Sequence, residues 1–430
     1  MQKRFFSYVL PAMLAFAFTG LYTIVDGFFV GQNIGDVGLA GINIAFPIVA
    51  LIQAVGCGIG MGGAIQISVN KGRGSKDLED KTFGNTLTLL LLAAVIMSLF
   101  VYVLNYHILV LLGAEGKVLI TASKYLSVIA LGSIFQLFAC GFTPLLRNYD
   151  QSILAMAAMI CGFVTNIILD WLFVSVLKWG VGGAAWATII GQIMTVIPCL
   201  GFLFKRCRSI SIAGFKLSKN VVKNIIRIGL SPFGLTMSPY LVMILINKWA
   251  VLYGGETAVA AYAVISYVTS IIFLLLQGVS DGSQPLISLC LGSGNIEEAL
   301  QIRKLAYVFS LIIALLTGAG ILLLSHFIPV LFGASEAVAA MTENSLPIFV
   351  SGFLFVAFCR VTTSYFYATQ KNTSAYIMVY GEPILLAILL TAVLPNLLKL
   401  QGVWLSAVTA QFILAIIGLI LIMREKKLQL

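Results

Sequence analysis

Twelve stretches of this chain are long and apolar enough to cross a lipid bilayer, and every other feature has to be fitted to them. They fall near residues 5–30, 38–68, 83–110, 120–146, 152–177, 183–204, 224–252, 258–290, 303–330, 340–369, 373–395 and 402–423. Hydrocarbon offers backbone N–H and C=O groups no water. A run of about 20 apolar residues must therefore satisfy its own hydrogen bonds as a helix. With 60% of residues hydrophobic and only 10% charged, the chain reads as an all-α polytopic membrane protein of twelve transmembrane helices. The opening MQKRFF has no small-residue cleavage site after it and reads as the start of a retained first helix. The seven cysteines lie in apolar runs or beside basic segments and read as reduced packing residues.

A net charge of +10 would suit nucleic acid or acidic substrates, but its placement is topological. With a cytoplasmic N-terminus, 20 of the 26 basic residues fall on the inner side. They are Lys3, Arg4, Lys71, Arg73, Lys76, Lys81, Arg147, the cations between 205 and 227, Arg303, Lys304, Lys371, Arg424, Lys426 and Lys427. Lys117, Lys124, Lys178, Lys248 and Lys399 fall outside, which leaves Arg360 as the cation expected within the membrane. This bias places both termini in the cytoplasm.

The longest polar connection divides the chain into 1–204, a linker at 205–222, and 223–430, and the two parts align as copies of one six-helix unit. At an offset of 221, Pro11 meets Pro232 and Asp26 meets Asn247; at 224, Gln53 meets Gln277 and Gly58 meets Gly282; at 219, Thr143 meets Thr362 and Gln192 meets Gln411. VLLGA at 110 matches VLFGA at 330. Six spans return the chain to its starting side, so the expectation is two six-helix bundles in a parallel repeat, the design of transporters that rock two bodies about a central site. GCGIGMGG at 56–63 follows no strand and reads as helix packing; the absence of GxxxxGK[ST] and HExxH argues against ATP-driven transport and zinc proteolysis.

Charge inside the spans marks candidate function. A carboxylate near a bilayer centre costs roughly 2.5–3.5 kcal/mol or more. Asp26, Asp170 and Thr188 sit five to seven residues from the outer ends of the first, fifth and sixth spans, and Asn166 lies one turn from Asp170 on the same face. Two carboxylates, an amide and a hydroxyl suit a hard cation, or a proton shared by the acids. They equally suit a hydrogen-bonded core between helices, and Asp170 beside Trp171 also suits an interfacial position.

VDGFFVG at 25–31, TNIILDWLF at 165–173, GVGGAAWAT at 180–188 and DGSQPLISLCLGSGN at 281–295 resemble the multidrug and toxic-compound extrusion (MATE) transporters, over essentially the whole chain. The resemblance implies a two-lobed antiporter of the bacterial cytoplasmic membrane. It would export amphipathic, often cationic compounds against H⁺ or Na⁺; nothing in the sequence requires more than a monomer, nor a cofactor or a nucleic-acid partner. It places the coupling-ion site at Asp26, Asn166, Asp170 and Thr188. One departure is Asn247, where some branches carry an acid.

In the second half Asp281, Arg360 and Glu382 share one depth, so Arg360 and Glu382 are expected to pair, or Asp281 or Glu382 to attract a cationic substrate. Candidate substrate contacts are these three with Asn247, Gln53, Gln277, Tyr22 and Phe142; Phe28 adds to the aromatic surface. A lipid-linked saccharide flippase is the alternative, disfavoured for want of a second intramembrane cation. An intramembrane enzyme is more distant, since no nucleophile with its base, and no metal-ligand cluster, is recognisable.

Overall fold

The computed structural model describes residues 1–392 and 394–429, without the side chains at 23, 27, 28, 30, 36, 39, 212, 213, 392 and 426–429; the side chains of Phe28, Lys426 and Lys427 thus lie outside the described residues. The described residues are helices joined by short turns. In order they are α1 (Gln2–Gly72), α2 (Lys76–Leu111), α3 (Gly116–Asn148), α4 (Ser152–Asp170) with a π-helical turn (Trp171–Val176), α5 (Gly180–Arg208), α6 (Lys219–Ser293), α7 (Ile296–Leu324), α8 (Phe327–Leu331), α9 (Glu336–Ser351), α10 (Phe353–Ala368), α11 (Asn372–Ala392) and α12 (Leu394–Gln429).

Two of these helices are folded hairpins. Gly35 breaks α1 with φ 74° and ψ −172°, and Gly255 breaks α6 with φ 62° and ψ −158°. Only glycine enters that region without steric cost. The 75 residues of α6 would stretch over about 110 Å at 1.5 Å per residue, far beyond a bilayer of about 30 Å. Instead Ile225 and Gly229 at its start, and Leu289 and Gly292 at its end, all pack on the stretch 58–72 of α1. Ten helices among the described residues are long and apolar enough to span. The pair α9–α10, bent by 44°, adds an eleventh span, and counting the limbs of α6 separately gives twelve.

The repeat is written into the backbone. Left-handed residues recur 220 positions apart as Gly35 and Gly255, Gly74 and Gly294, Gly113 and Gly333, Asp150 and Gln370, and 221 apart as Lys178 and Lys399. The stretch from Gly35 to Gly74 equals that from Gly255 to Gly294, so no four-residue slip fits between them. Gly58 therefore corresponds to Gly278 and Gly62 to Gly282, and the sequence alignment at offset 224 is corrected.

The end of the bundle that carries residue 1, the turns at 73–75, 149–151, 294–295 and 370–371, and the C-terminus is called the near face. There the halves interlock through glycine. A Cβ on Gly72 would lie 2.3 Å from Leu289 O and one on Gly292 2.1 Å from Val69 O; Val69 and Leu289 are themselves 220 apart, so this is one contact made twice about a two-fold relation. Higher in the bundle a Cβ on Gly229 would fall 2.2 Å from Gly58 O, one on Gly62 2.2 Å from Ile225 O, and one on Gly282 2.6 Å from Val9 Cα. Backbones this close need small residues, the usual currency of helix association in membranes. One buried apolar cluster lies within the first half around Ile52, Leu90 and Leu126; another belongs to the second half but takes in Phe5, Val9, Met61 and Ile65 from α1.

The connection between halves is short and docked. Asn85 of α2 donates to Gly214 O at 3.1 Å and Lys216 O at 3.0 Å and accepts from the Ser218 N–H at 2.8 Å. Arg206 pairs with Glu79 at 2.7 Å and with Asp80. At the next turn Asp150 accepts from Tyr8 and Lys71. Burial pushes its carboxyl upward, but these two partners outweigh burial and hold it below the usual carboxylate range. All seven cysteines are free among the described residues.

The glycine interlock makes a direct prediction. Gly229→Val overpacks the contact, at a cost of about 1–3 kcal/mol, and lowers the apparent melting temperature in detergent. Gly320→Ala, where an added methyl meets nothing within 4 Å, leaves it unchanged or raised.

Candidate functional site

The first polar cluster is built by α1, α4 and α5. Gly162 and Gly191 bring α4 against α5: a Cβ on Gly162 would collide with Thr195 Oγ1 at 1.9 Å, and one on Gly191 with Asn166 Cβ at 2.9 Å. That closeness lets Asn166 act as a bridge. With its amide turned as its neighbours require, it donates to Asp170 Oδ2 at 2.9 Å and accepts from the Thr188 N–H at 3.1 Å. Asp170 is fully buried while Trp171 is 53% exposed, which removes the interfacial reading of the acid. The π-helical turn that begins at Trp171 re-aims the chain there, a device common at functional sites.

Across from Asp170 stands Asp26. The two carboxyls are close enough to act on each other electrostatically, and two acids so placed share a proton or hold another cation between them. Oδ1 of each is sealed from solvent with no donor. Tyr22 stands beside Thr188, whose hydroxyl donates to Ala184 O at 3.0 Å. Tyr22 stacks on Phe163 at 5.2 Å and, with Asn166, Thr188 and Gln192 among others, lines a tightly packed contact between α1, α4 and α5. Among the described residues no three His, Cys, Asp or Glu side chains form a metal cluster.

The second polar assembly joins the halves. Asp281 Oδ1 accepts from Gln277 at 2.7 Å and from the Tyr367 hydroxyl at 2.9 Å, and Oδ2 lies 3.8 Å from Arg147. Arg360 donates to the other end of Gln277 at 3.3 Å. Beside this set Asn148 and Gln284 exchange bonds of 3.0 and 3.2 Å across the interface, and Ser68 donates to Asn148 at 2.6 Å.

A sequence profile of the MatE family matches residues 11–172 and again 232–394. The chain belongs to the MatE family. It is therefore a multi-pass membrane transporter and not an enzyme. It is 24% identical over 429 residues to the multidrug export protein MepA of Staphylococcus saprophyticus, covering 98% of this chain and 93% of that one. A MOP superfamily transporter from Pyrococcus furiosus shares the fold with a TM-score of 0.93, 24% identity and coverage of 100% of this chain and 96% of that chain. An outward-facing multidrug resistance MATE family transporter superposes with a TM-score of 0.89, at 23% identity over 99% of this chain and 96% of that chain.

In this MatE protein the four residues of the first cluster do meet, with Tyr22 beside them. Asp281, Gln277 and Arg360 also meet. Arg360 and Glu382, by contrast, form no ion pair among the described residues: Glu382 accepts from Gln411 at 2.6 Å and Ser238 at 3.4 Å, while Arg360 turns to Gln277. Equal depth did not mean equal direction. Phe142 is 5% exposed and packs on Phe138 at 4.9 Å inside the first core, so it lines no cleft. Gln53 and Asn247 are half-buried and stand outside both networks. The residue missed altogether is Arg147, placed with the cytoplasmic cations by its neighbours yet only 4% exposed and matched to Asp281. Arg360 is thus not the sole cation inside the bundle. The register would have exposed Arg147, because its repeat partner is Tyr367, and both side chains contact Asp281.

The pairing seen here separates two double-mutant cycles. Arg147→Leu with Asp281→Leu shows a coupling of about 0.5–3 kcal/mol in thermal unfolding, while Arg360→Leu with Glu382→Leu shows a smaller one. Equal couplings in the two cycles contradict the observed partners.

Proposed function

We propose that this MatE protein exports amphipathic small molecules, cationic drugs among them, from the cytoplasm in exchange for H⁺ or Na⁺. On this reading it sits in the cytoplasmic membrane of a bacterium as a monomer with both termini inside, and it needs no cofactor beyond the coupling ion. The moving bodies are the lobes 1–204 and 223–430, joined through 205–222. The observation that carries the reading is the facing of Asp26 and Asp170, each with a buried oxygen that has no donor. Nothing in helix packing calls for two acids there, and an ion between them resolves both deficits.

The chemistry then runs through these side chains. With the ion bound, Asp26 stays against Asp170, with Asn166 fixing the second acid and Thr188 with Tyr22 closing the shell. With the ion lost, two like charges in a low dielectric repel, and the first limb of α1 is the element free to move. That limb carries Pro11, and Gly20 on it would bring a Cβ within 3.4 Å of Ile271 and Leu274 in α6, so its displacement reaches the opposite lobe. Ion and substrate thereby weaken each other's binding, reciprocally, by a coupling of about 1–3 kcal/mol. The glycine seal at the near face supports a resting form closed to the cytoplasm.

The test is efflux from proteoliposomes under Na⁺ and pH gradients imposed separately. Asp26→Asn and Asp170→Asn abolish gradient-driven efflux while the folded protein still binds substrate. Thr188→Ala weakens a Na⁺-driven process and spares a proton-driven one, since only the metal ion needs the hydroxyl as a ligand. Normal gradient-driven efflux by Asp26→Asn defeats the proposal, because an amide neither titrates nor carries charge.

A further inference from the structure

One stretch of the chain is basic without relief. Between Asp170 and Glu256 the sequence has no carboxylate, while seven cations fall between 205 and 227. The rule that gathers cations on one side of a membrane explains their number but not their lack of partners. Elsewhere on the near face Lys71 has Asp150 and Lys371 has Glu425. Arg206 is drawn inward by Glu79 and Asp80 and lies 5.1 Å from the Tyr149 ring. Its neighbours Lys205 and Arg208 are exposed and make no ion pair among the described residues.

These two residues line an open depression of about 710 Å³ on α5, together with Gly201, Phe204 and Ser209. Ile197, Gly201, Phe204, Lys205 and Arg208 recur at spacings of three and four, so one face of the helix carries them. That face looks into lipid, since Ile197 is 48% and Phe204 65% exposed. From Gly201 to Arg208 the helix rises about 10 Å at 1.5 Å per residue, enough to pass from acyl chains into the headgroup layer. A Cβ on Gly201 would meet nothing within 4 Å, so this glycine serves no helix contact and leaves room beside Phe204. The negative end of a helix favours cations in its last turn, but it does not ask for an apolar groove beneath them.

We propose that this groove holds one phospholipid of net negative headgroup, its phosphate between Lys205 and Arg208 and an acyl chain along Gly201 and Phe204. A lysine point charge and an arginine fork both suit phosphate oxygens. A zwitterionic lipid is held less well, because its headgroup brings a further cation to a place that already has two. Arg206, between the two ligands in sequence, is tied to α2, and the docked connection between the halves begins directly after Arg208. The lipid therefore grips the helix end from which that connection starts. The inference needs only that the chain spans a bilayer, and it stands apart from the ion exchange proposed above.

Native mass spectrometry of the purified, delipidated protein tests it, with phosphatidylglycerol and phosphatidylcholine of the same acyl chains offered in turn. One phosphatidylglycerol stays bound per chain, held about 10- to 30-fold more tightly than the choline lipid, since each cation at a headgroup layer contributes about fivefold. Lys205→Gln with Arg208→Gln removes most of that preference. Gly201→Leu fills the groove without a change of charge and weakens phosphatidylglycerol as well. Lys117→Gln with Lys124→Gln takes the same charge from the far end and leaves the preference as it was. Glycerol 3-phosphate displaces no lipid, because the acyl chain supplies half of the contact. Equal affinity for the two lipids, a preference kept by the folded Lys205 and Arg208 variant, an equal loss in the far-end control or displacement by the soluble phosphate overturns the proposal. Where the double variant fails to fold, the ratio in the unmodified protein and the response of Gly201→Leu decide it.

Discussion

Where α1 and α6 cross at the near face, backbone touches backbone, and the rest of the molecule follows from that approach. Gly72 and Gly292, each against a carbonyl of the other half, set the distance between the halves at one end. A methyl group at either position would hold them apart and with them every polar group along the interface. Arg147 reaches Asp281, and Asn148 reaches Gln284, because glycine rather than side chain fills the gap nearby. Contacts of this kind fix the separation by the shape of the backbone, and the apolar cluster that Phe5, Val9, Met61 and Ile65 share with the second half closes around them.

The repeat gives the two halves one backbone and different chemistry. At the position of Asp281 the first half has Met61, 1% exposed in an apolar cluster, and at the position of Arg147 the second half has Tyr367. The region of α6 that corresponds to the Asp26 limb offers Ile246, buried, and Asn247, half-buried. Charge thus entered each frame at different depths. The first half collects its acids toward the far end, and the second contributes an acid and an arginine to the polar assembly between the halves.

What the sequence reveals and what it conceals divide along physical lines. Long apolar runs fix helices because the solvent leaves no alternative, and Asn166 with Asp170 could be read as one face because the helix imposes that spacing locally. The meeting of Asp26 with them was legible from depth and from cost. Direction around a helix axis was not legible where the period of polar residues is too sparse to define a face. Arg360 bonds Gln277 rather than Glu382 for that reason, and Phe142 turned into its own core. Arg147 was hidden differently: it stands at a helix end among cations, and only a partner 134 residues away along the chain decides that it is sealed from water. The four-residue error in the repeat register arose because isolated Gly and Gln identities carry less information than a left-handed backbone does.

The docked connection between the halves has a mechanical consequence. Asn85 holds the chain at Gly214, Lys216 and Ser218, so the covalent link is part of the first body up to the residue where α6 begins. No slack remains to be taken up. Under the two-body exchange proposed above, a displacement of the second half acts as a rotation about a point beside Lys219 on the near face. Travel grows with distance from that point, so a small turn there becomes a wide sweep at Gly255.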